Sequence, residues 1–236
     1  KESILDDNIV PFYQAIYDRN NNIIKYEALM RMKSIKDNKD EFISPDKFLD
    51  FAKKSKQYNE VNLLLIEKVL EKVIETDKQI SINISFKSIQ NTGFVKSFNT
   101  LIEKLDKKYY SKLVFEILES EFVWDYNILE NFILRYKNMG IKIAIDDFGS
   151  GYSNFKHILN VKPDYLKIDG SLIKNIDKDK DSYELVKYIA LFAKSIGIKT
   201  VAEFVHKKEI YDILFKLEID EFQGFYLGIP KKELNI

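Results

Sequence analysis

At 236 residues the chain suits one large domain or at most two small ones, and 45% hydrophobic with 14% aromatic residues can bury a sizeable core. Its 37 Lys+Arg balance 37 Asp+Glu, so no net charge steers it toward duplex nucleic acid or an acidic membrane. The lack of cysteine excludes disulfides and thiolate metal sites and fits a reducing compartment, while two histidines leave little scope for a His-rich zinc site or a serine-type triad. Any metal must be held mainly by oxygen, which favours Mg²⁺, Mn²⁺ or Ca²⁺. No apolar run approaches the ~20 residues a membrane helix needs, so no membrane contact by this domain is expected. Opening on Lys1 rather than Met is expected of a piece cut from a longer protein, with any sensor or anchor out of view.

In chain order, Ile9 to Tyr17 and Ile23 to Met30 read as two strands joined by the turn Asp18 to Asn22, an antiparallel pair. Ser44-Pro45 is a helix-start signal, Ser at the N-cap and Pro at the first helical position, and Glu60 to Thr76 follows as a strongly apolar helix. Apolar strand-like runs then recur at Ile80–Ile84, Leu113–Ile117, Ile141–Ile145, Tyr165–Ile168, Ile198–Ala202 and Ile219–Phe225. Helical segments lie between most of them, at Phe94–Leu105, Tyr126–Met139, Tyr183–Ile196 and Lys207–Leu217, with a shorter one from Ser153. This alternation predicts a parallel sheet with helical crossovers. No linker divides the chain, and the mixed-charge run Asp177 to Asp181 reads as a solvated loop.

The polar residues fall at one end of these strands. Asn83, Glu116, Asp146 with Asp147, Lys167, Glu203 and Gln223 each lie at or just after the C-terminal end of an apolar run. In a β/α barrel those ends converge on one face, where active sites sit. Glu116, Asp146 and Asp147 can hold one or two hard cations, with Asn83 as a neutral oxygen ligand. Two such cations can clamp the attacking and leaving oxygens of a phosphoryl displacement. Lys167 is open to three readings: a base toward water, a charge balance beside a phosphate, or a structural ion pair. A Schiff-base role is disfavoured because carboxylates keep an ammonium protonated. The adjacent pair Asp146-Asp147 can address one site only where the backbone turns, and Gly149 and Gly151 are expected to supply that turn. On its own the segment also reads as a polar turn with two solvated aspartates.

At Tyr26-Glu27-Ala28-Leu29-Met30-Arg31 the chain resembles the EAL domain, a bacterial cyclic di-GMP phosphodiesterase family. The resemblance runs from about Ile9 to Pro230 through ordered motifs: Tyr13-Gln14, Glu27-Ala28-Leu29-x-Arg31, Asn83-Ile84-Ser85, Glu116-Ile117-Leu118-Glu119, Asp146-Asp147-Phe148-Gly149-Ser150-Gly151-Tyr152-Ser153, Lys167-Ile168-Asp169, Ala202-Glu203 and Gln223-Gly224-Phe225. It implies a single domain over 1–236, an α/β fold that is a modified TIM (β/α)8 barrel with an antiparallel first strand. It also implies hydrolysis of cyclic di-GMP to linear pGpG with one or two Mg²⁺ or Mn²⁺ ions. By the same resemblance Glu27, Asn83, Glu116 and Asp146 would ligate one metal, and Asp146 would bridge to a second held also by Asp147 and Glu203. Lys167 would orient or deprotonate the water, completing a catalytic set with Glu203, Asp147 and Gln223. Gln14, Arg31, Asp169 and Gln223 would contact substrate, Arg31 through a phosphate, and Glu119 would tether the loop after Asp147.

Departures from the family pattern are Leu118 for the usual Thr, Met32 for Trp, Ala15 for Pro, and His206 where a second Glu often stands. None touches an expected metal ligand. The resemblance further implies a homodimer, an upstream sensor or regulatory domain and a cytoplasmic location, with attachment to a membrane-anchored protein compatible with it. Some family members bind cyclic di-GMP without cleaving it, and a weak or inactive receptor is the alternative reading.

Overall fold

A computed structural model describes residues 8–36, 39–48, 57–120, 126–151 and 155–234. Strands β1 (Ile9–Asp18) and β2 (Ile23–Lys36) form the expected antiparallel pair, and β3 (Lys39–Ile43) adds a hairpin to the outer end of β2. Strands β4 (Gln79–Asn83), β5 (Leu113–Leu118), β6 (Lys142–Phe148), β7 (Tyr165–Ile168), β8 (Lys199–Ala202) and β9 (Glu221–Phe222) then pair in parallel, in that order, starting on β2. β9 closes back on β1, which runs antiparallel to both neighbours. The result is a closed eight-strand barrel of the modified TIM type, with β3 appended outside it.

Helices α1 (Tyr58–Glu75), α2 (Phe86–Gln90), α3 (Thr92–Lys104), α4 (Tyr126–Asn138), α5 (Phe155–Val161), α6 (Gly170–Ile173), α7 (Lys180–Ser195) and α8 (Lys208–Lys216) cover the barrel. In α1, Val61, Leu65, Ile66, Val69 and Val73 fall on one stripe and are buried, the spacing a helix needs to face a sheet. Ser44-Pro45 starts only a three-residue 3-10 turn, Pro45–Lys47, in which the Ser44 side chain caps nothing. The expected run Ile219–Phe225 shortens to a two-residue strand. Tyr152 and Ser153 lie outside the described residues.

Alternation along each strand divides the sheet into two chemistries. Outward residues such as Ile80, Ile82, Phe115, Ile117, Ile143, Ile145, Leu166 and Phe222 are buried in the main core beneath the helices. Inward, Ile16, Val114, Ala144, Tyr165 and Val201 make a separate small core that plugs the barrel. The next inward positions toward the C-terminal ends are Glu27, Asn83, Glu116, Asp146, Lys167 and Gln223, each two residues along from a buried barrel residue. A strand period of two thus stacks this polar layer on one that holds the small apolar core together with Ser81 and the buried pair Lys25 and Glu221.

Candidate active site

Lys167 stands at the centre of the polar layer, 1% exposed. Its Nζ lies 2.6 Å from Glu116 Oε2, 2.7 Å from Glu203 Oε1, 3.0 Å from Asp146 Oδ1 and 3.5 Å from Glu27 Oε2. Burial works to lower the lysine pKa, but Asp146, Glu116, Glu203 and Glu27 outweigh it and raise the ammonium well above its ordinary value. Burial also works to raise Glu27, yet Lys167 and hydrogen bonds from Gln223 and Asn83 hold it below the usual range. Glu116 is pushed up to about 8 by burial, with Lys167 opposing and Glu27 and Asp146 adding to the rise. Burial likewise lifts Glu203 well up.

Four carboxylates therefore face one ammonium, an excess of negative charge that a buried site must offset with protons or cations. With Asp147 as a fifth, the carboxylates fall into two groups whose oxygens converge, Glu27 with Glu116 and Asp146, and Asp146 with Asp147 and Glu203. All donors are oxygen, the surplus charge is negative, and one aspartate is shared. This donor set fits one or two hard divalent cations. Asn83 Nδ2 donates to Glu27 Oε1 at 2.9 Å, which leaves its amide oxygen as the group's remaining acceptor.

The aspartate pair meets one site by a different device from the expected one. β6 continues through both residues, its register on β7 slips between Ile145 and Phe148, and Asp147 itself takes φ +54°. A bulge, two residues before Gly149, turns both carboxylates to the same side. Burial, Asp146 and Asp169 raise Asp147 to about 6. Gly149 follows at φ +94°, and its N–H donates to Glu119 Oε2 at 2.9 Å. Glu119 thus holds the start of the loop that follows the pair.

Two glutamines brace the other side. Gln223 Nε2 donates to Glu27 Oε2 at 2.7 Å and to Gln14 Oε1 at 3.2 Å, and Gln14 Nε2 donates to Gly228 O at 3.0 Å. The Oε1 of Gln223 is buried without a partner. Both line a cavity of about 380 Å³ with Glu27, Asp146, Asp169 and Glu203, and its wall includes Phe204, His206 and Phe225. Asp169 also caps α6, accepting from Ser171 N at 2.8 Å. Arg31 lies outside the cavity lining, four residues beyond Glu27 on β2, with Nη1 donating to Met30 O at 2.8 Å. The aromatic wall was missed from sequence, although an apolar residue just past a polar strand end, as in Glu203-Phe204, was a legible signal.

Gly224 fixes the brace. A Cβ there would come within 2.1 Å of Val205 O and 2.3 Å of Val205 N, contacts no backbone shift of a few tenths of an ångström relieves. Gly224→Ala is expected to destabilise the domain by about 1–3 kcal/mol and to misplace Gln223. Chemical denaturation checks the first effect; unchanged stability would mean the Val205 segment moves freely.

The EAL domain model matches residues 1–230. The chain is 32% identical over 213 residues to cyclic di-GMP phosphodiesterase PdeF of Escherichia coli (strain K12), covering 88% of this chain and 28% of that protein. It is 32% identical over 237 residues to cyclic di-GMP phosphodiesterase PdeA of Borreliella burgdorferi, covering 98% and 35%. The chain thus spans about a third of the length of these relatives. Among solved structures it is similar to the PaMucR phosphodiesterase in complex with c-di-GMP, with TM-score 0.86, 26% identity, and coverage of 95% of this chain and 92% of that one. With the family model matched from end to end of the barrel and Glu27, Asn83, Glu116, Asp146, Asp147, Lys167, Glu203 and Gln223 gathered around one site, the chain belongs to the EAL domain family.

Proposed function

We propose that this domain hydrolyses one phosphodiester bond of cyclic di-GMP to give linear pGpG, using Mg²⁺ or Mn²⁺. The observation that carries the reading is the pair of carboxylate groups sharing Asp146 at the floor of an open cavity, with Lys167 between them. The names of PdeF and PdeA support the substrate. Glu27, Asn83, Glu116 and Asp146 would hold one ion, and Asp146, Asp147 and Glu203 a second. When bound, such ions polarise the phosphoryl oxygens and make water a nucleophile near neutral pH.

The chain's own residues supply the rest. Lys167, kept charged by its carboxylates, acts as a hydrogen-bond donor that orients water and offsets charge; its raised pKa disfavours the base role. Glu203 faces the cavity and can accept the proton the water loses. Gln223 and Asn83 fix Glu27 from two sides, and Gln14 ties that brace to the Gly228 segment. Asp169 and Gln223 sit where a ligand would touch them. Arg31 Nη1 donates to Met30 O, and because a guanidinium carries five N–H donors a grip on a phosphate would not require that bond to break. Glu119 anchors the loop beside Asp147 and so couples loop position to the second ion.

A homodimer, a regulatory domain outside this segment and a cytoplasmic location belong to the same proposal. The relatives are longer than this chain, and one at 27% identity is a bifunctional diguanylate cyclase/cyclic di-GMP phosphodiesterase, MucR of Pseudomonas aeruginosa. Among the described residues no helix is long and apolar enough to cross a membrane.

The test is chromatography of cyclic di-GMP incubated with the protein and Mg²⁺ or Mn²⁺. Formation of pGpG, lost on chelation with EDTA, is the expected result. Tight metal-independent binding without product would replace hydrolysis by the receptor reading.

A further inference from the structure

Among the described residues β9 pairs with β1 only at Tyr17–Phe222 and Asp18–Glu221, so residues 9–16 of β1 have a strand partner on the β2 side alone. A later backbone segment fills the gap. Tyr13 N donates to Lys231 O at 2.7 Å and Lys231 N to Tyr13 O at 2.9 Å, a single antiparallel bridge. Tyr17 Oη donates to Leu227 O at 3.2 Å, and Gln14 Nε2 to Gly228 O at 3.0 Å. The segment starts from Gly224, whose carbonyl accepts both Leu227 N and Gly228 N at 3.0 Å. None of residues 226–234 lines the cavity above the carboxylates.

The segment is held at points rather than closely packed. Ile229 is 58% exposed, and a separate cavity of about 50 Å³ is lined by Tyr13 and Tyr17 of β1 together with Leu227, Gly228 and Lys231. Its hydrogen bonds therefore set its position, and one of them reaches the site. A side-chain amide has one donor end and one acceptor end. Gly228 O only accepts, so it turns Gln14 Nε2 toward the segment and Gln14 Oε1 toward the site. Gln14 Oε1 then takes one N–H of Gln223 Nε2 at 3.2 Å, and the other goes to Glu27 Oε2 at 2.7 Å. Reversing Gln14 alone would set two donors against each other, and reversing both glutamines would set Gln223 Oε1 against the Glu27 carboxylate.

We propose that residues 227–231 are a positioning strap: they close the seam that β9 leaves open, and through Gly228 O they set the polarity of the Gln14–Gln223 relay that presents an N–H to Glu27. The seating of a segment outside the cavity thereby controls how tightly Glu27 holds a cation. The proposal rests on the metal-holding role that the hydrolase reading gives Glu27, and deepens it. Hydrogen-bond partners that orient a metal ligand carry about 10- to 100-fold in metal affinity.

The test measures Mn²⁺ affinity by calorimetry in wild type, Tyr17→Phe/Lys231→Pro, Gln14→Leu and the triple variant, with thermal melting as the check of fold. The first variant removes the anchors on either side of Gly228, since proline lacks the N–H that reaches Tyr13 O. It is expected to weaken Mn²⁺ binding about 10- to 100-fold, and that loss is expected to vanish when Gln14 is already leucine, because both changes act on one relay. Unchanged affinity in the folded anchor variant, or the same loss with and without Gln14, would overturn the positioning role. Should the anchor variant fail to fold, Tyr17→Phe alone, expected to weaken binding about 2- to 10-fold, is judged by the same two criteria. Wild type that binds Mn²⁺ but leaves cyclic di-GMP intact would remove the hydrolase reading and not the strap. Wild type that binds no Mn²⁺ would overturn the strap's role whatever its activity.

Discussion

Asp146→Asn is expected to lower kcat for cyclic di-GMP hydrolysis by about 10³-fold or more, equivalent to roughly 4 kcal/mol of transition-state stabilisation. Asp146 belongs to both carboxylate groups, so it is the single side chain whose charge serves either proposed ion. Its Oδ1 also accepts the Asp147 N–H at 3.0 Å and faces Lys167 Nζ at 3.0 Å. Asparagine keeps the shape and an acceptor oxygen for those two contacts while removing the charge. The fold is therefore expected to survive, since one fewer carboxylate eases the excess of negative charge around Lys167.

The measurement pairs turnover with the rise in melting temperature caused by Mg²⁺ or Mn²⁺. A ligand that binds only the folded state stabilises it in proportion to the logarithm of concentration over Kd. Wild type is expected to show that rise and Asp146→Asn to lose nearly all of it. Glu116→Gln alters only one group and is expected to keep part of it. An Asp146→Asn variant that is both active and stabilised by metal would sink the shared-ligand assignment.

The polar layer was legible because β-strands have a strict period of two. Once the apolar runs around Asn83, Glu116, Asp146 and Lys167 are recognised, their convergence at one barrel face follows from topology. The bulge at Asp147 was not legible: the glycines at 149 and 151 advertise flexibility, whereas a positive φ on an aspartate depends on how β6 slips against β7. The β3 hairpin was missed because β2 runs on past the barrel into Lys33, Ser34 and Lys36, which carry no apolar alternation. β9 is short as a strand, yet Gln223 stays bonded to the end of β8, its N–H donating to Ala202 O at 2.9 Å and its carbonyl accepting from Val205 N at 3.0 Å, while its side chain reaches Glu27. Lys25 and Glu221 escaped notice although each sits two residues before a site residue, Glu27 and Gln223, on the same inward face. Their strand-start positions carried no functional signal, and only the closed barrel brings them together.

That pair carries the second large expected effect. Lys25 Nζ lies 2.6 Å from Glu221 Oε2, both side chains are 3% exposed, and the ammonium also sits over the Tyr165 ring at 3.1 Å. The pair joins β2 to β9 across β1, at the seam where β9 contributes only two residues. Burial depresses the Lys25 pKa and raises that of Glu221, so each charge is tolerated only through the other. Lys25→Met is expected to cost about 3–5 kcal/mol, because it strands a buried carboxylate; Lys199, 3.9 Å away and mostly exposed, is too distant and hydrated to replace the partner. The double variant Lys25→Met/Glu221→Leu removes both charges and is expected to recover most of the loss, with kcat per folded molecule near that of wild type. Urea denaturation at neutral pH followed by circular dichroism measures all three proteins. A double variant no more stable than Lys25→Met would show that the loss comes from the missing lysine stem on Tyr165 rather than from the stranded charge.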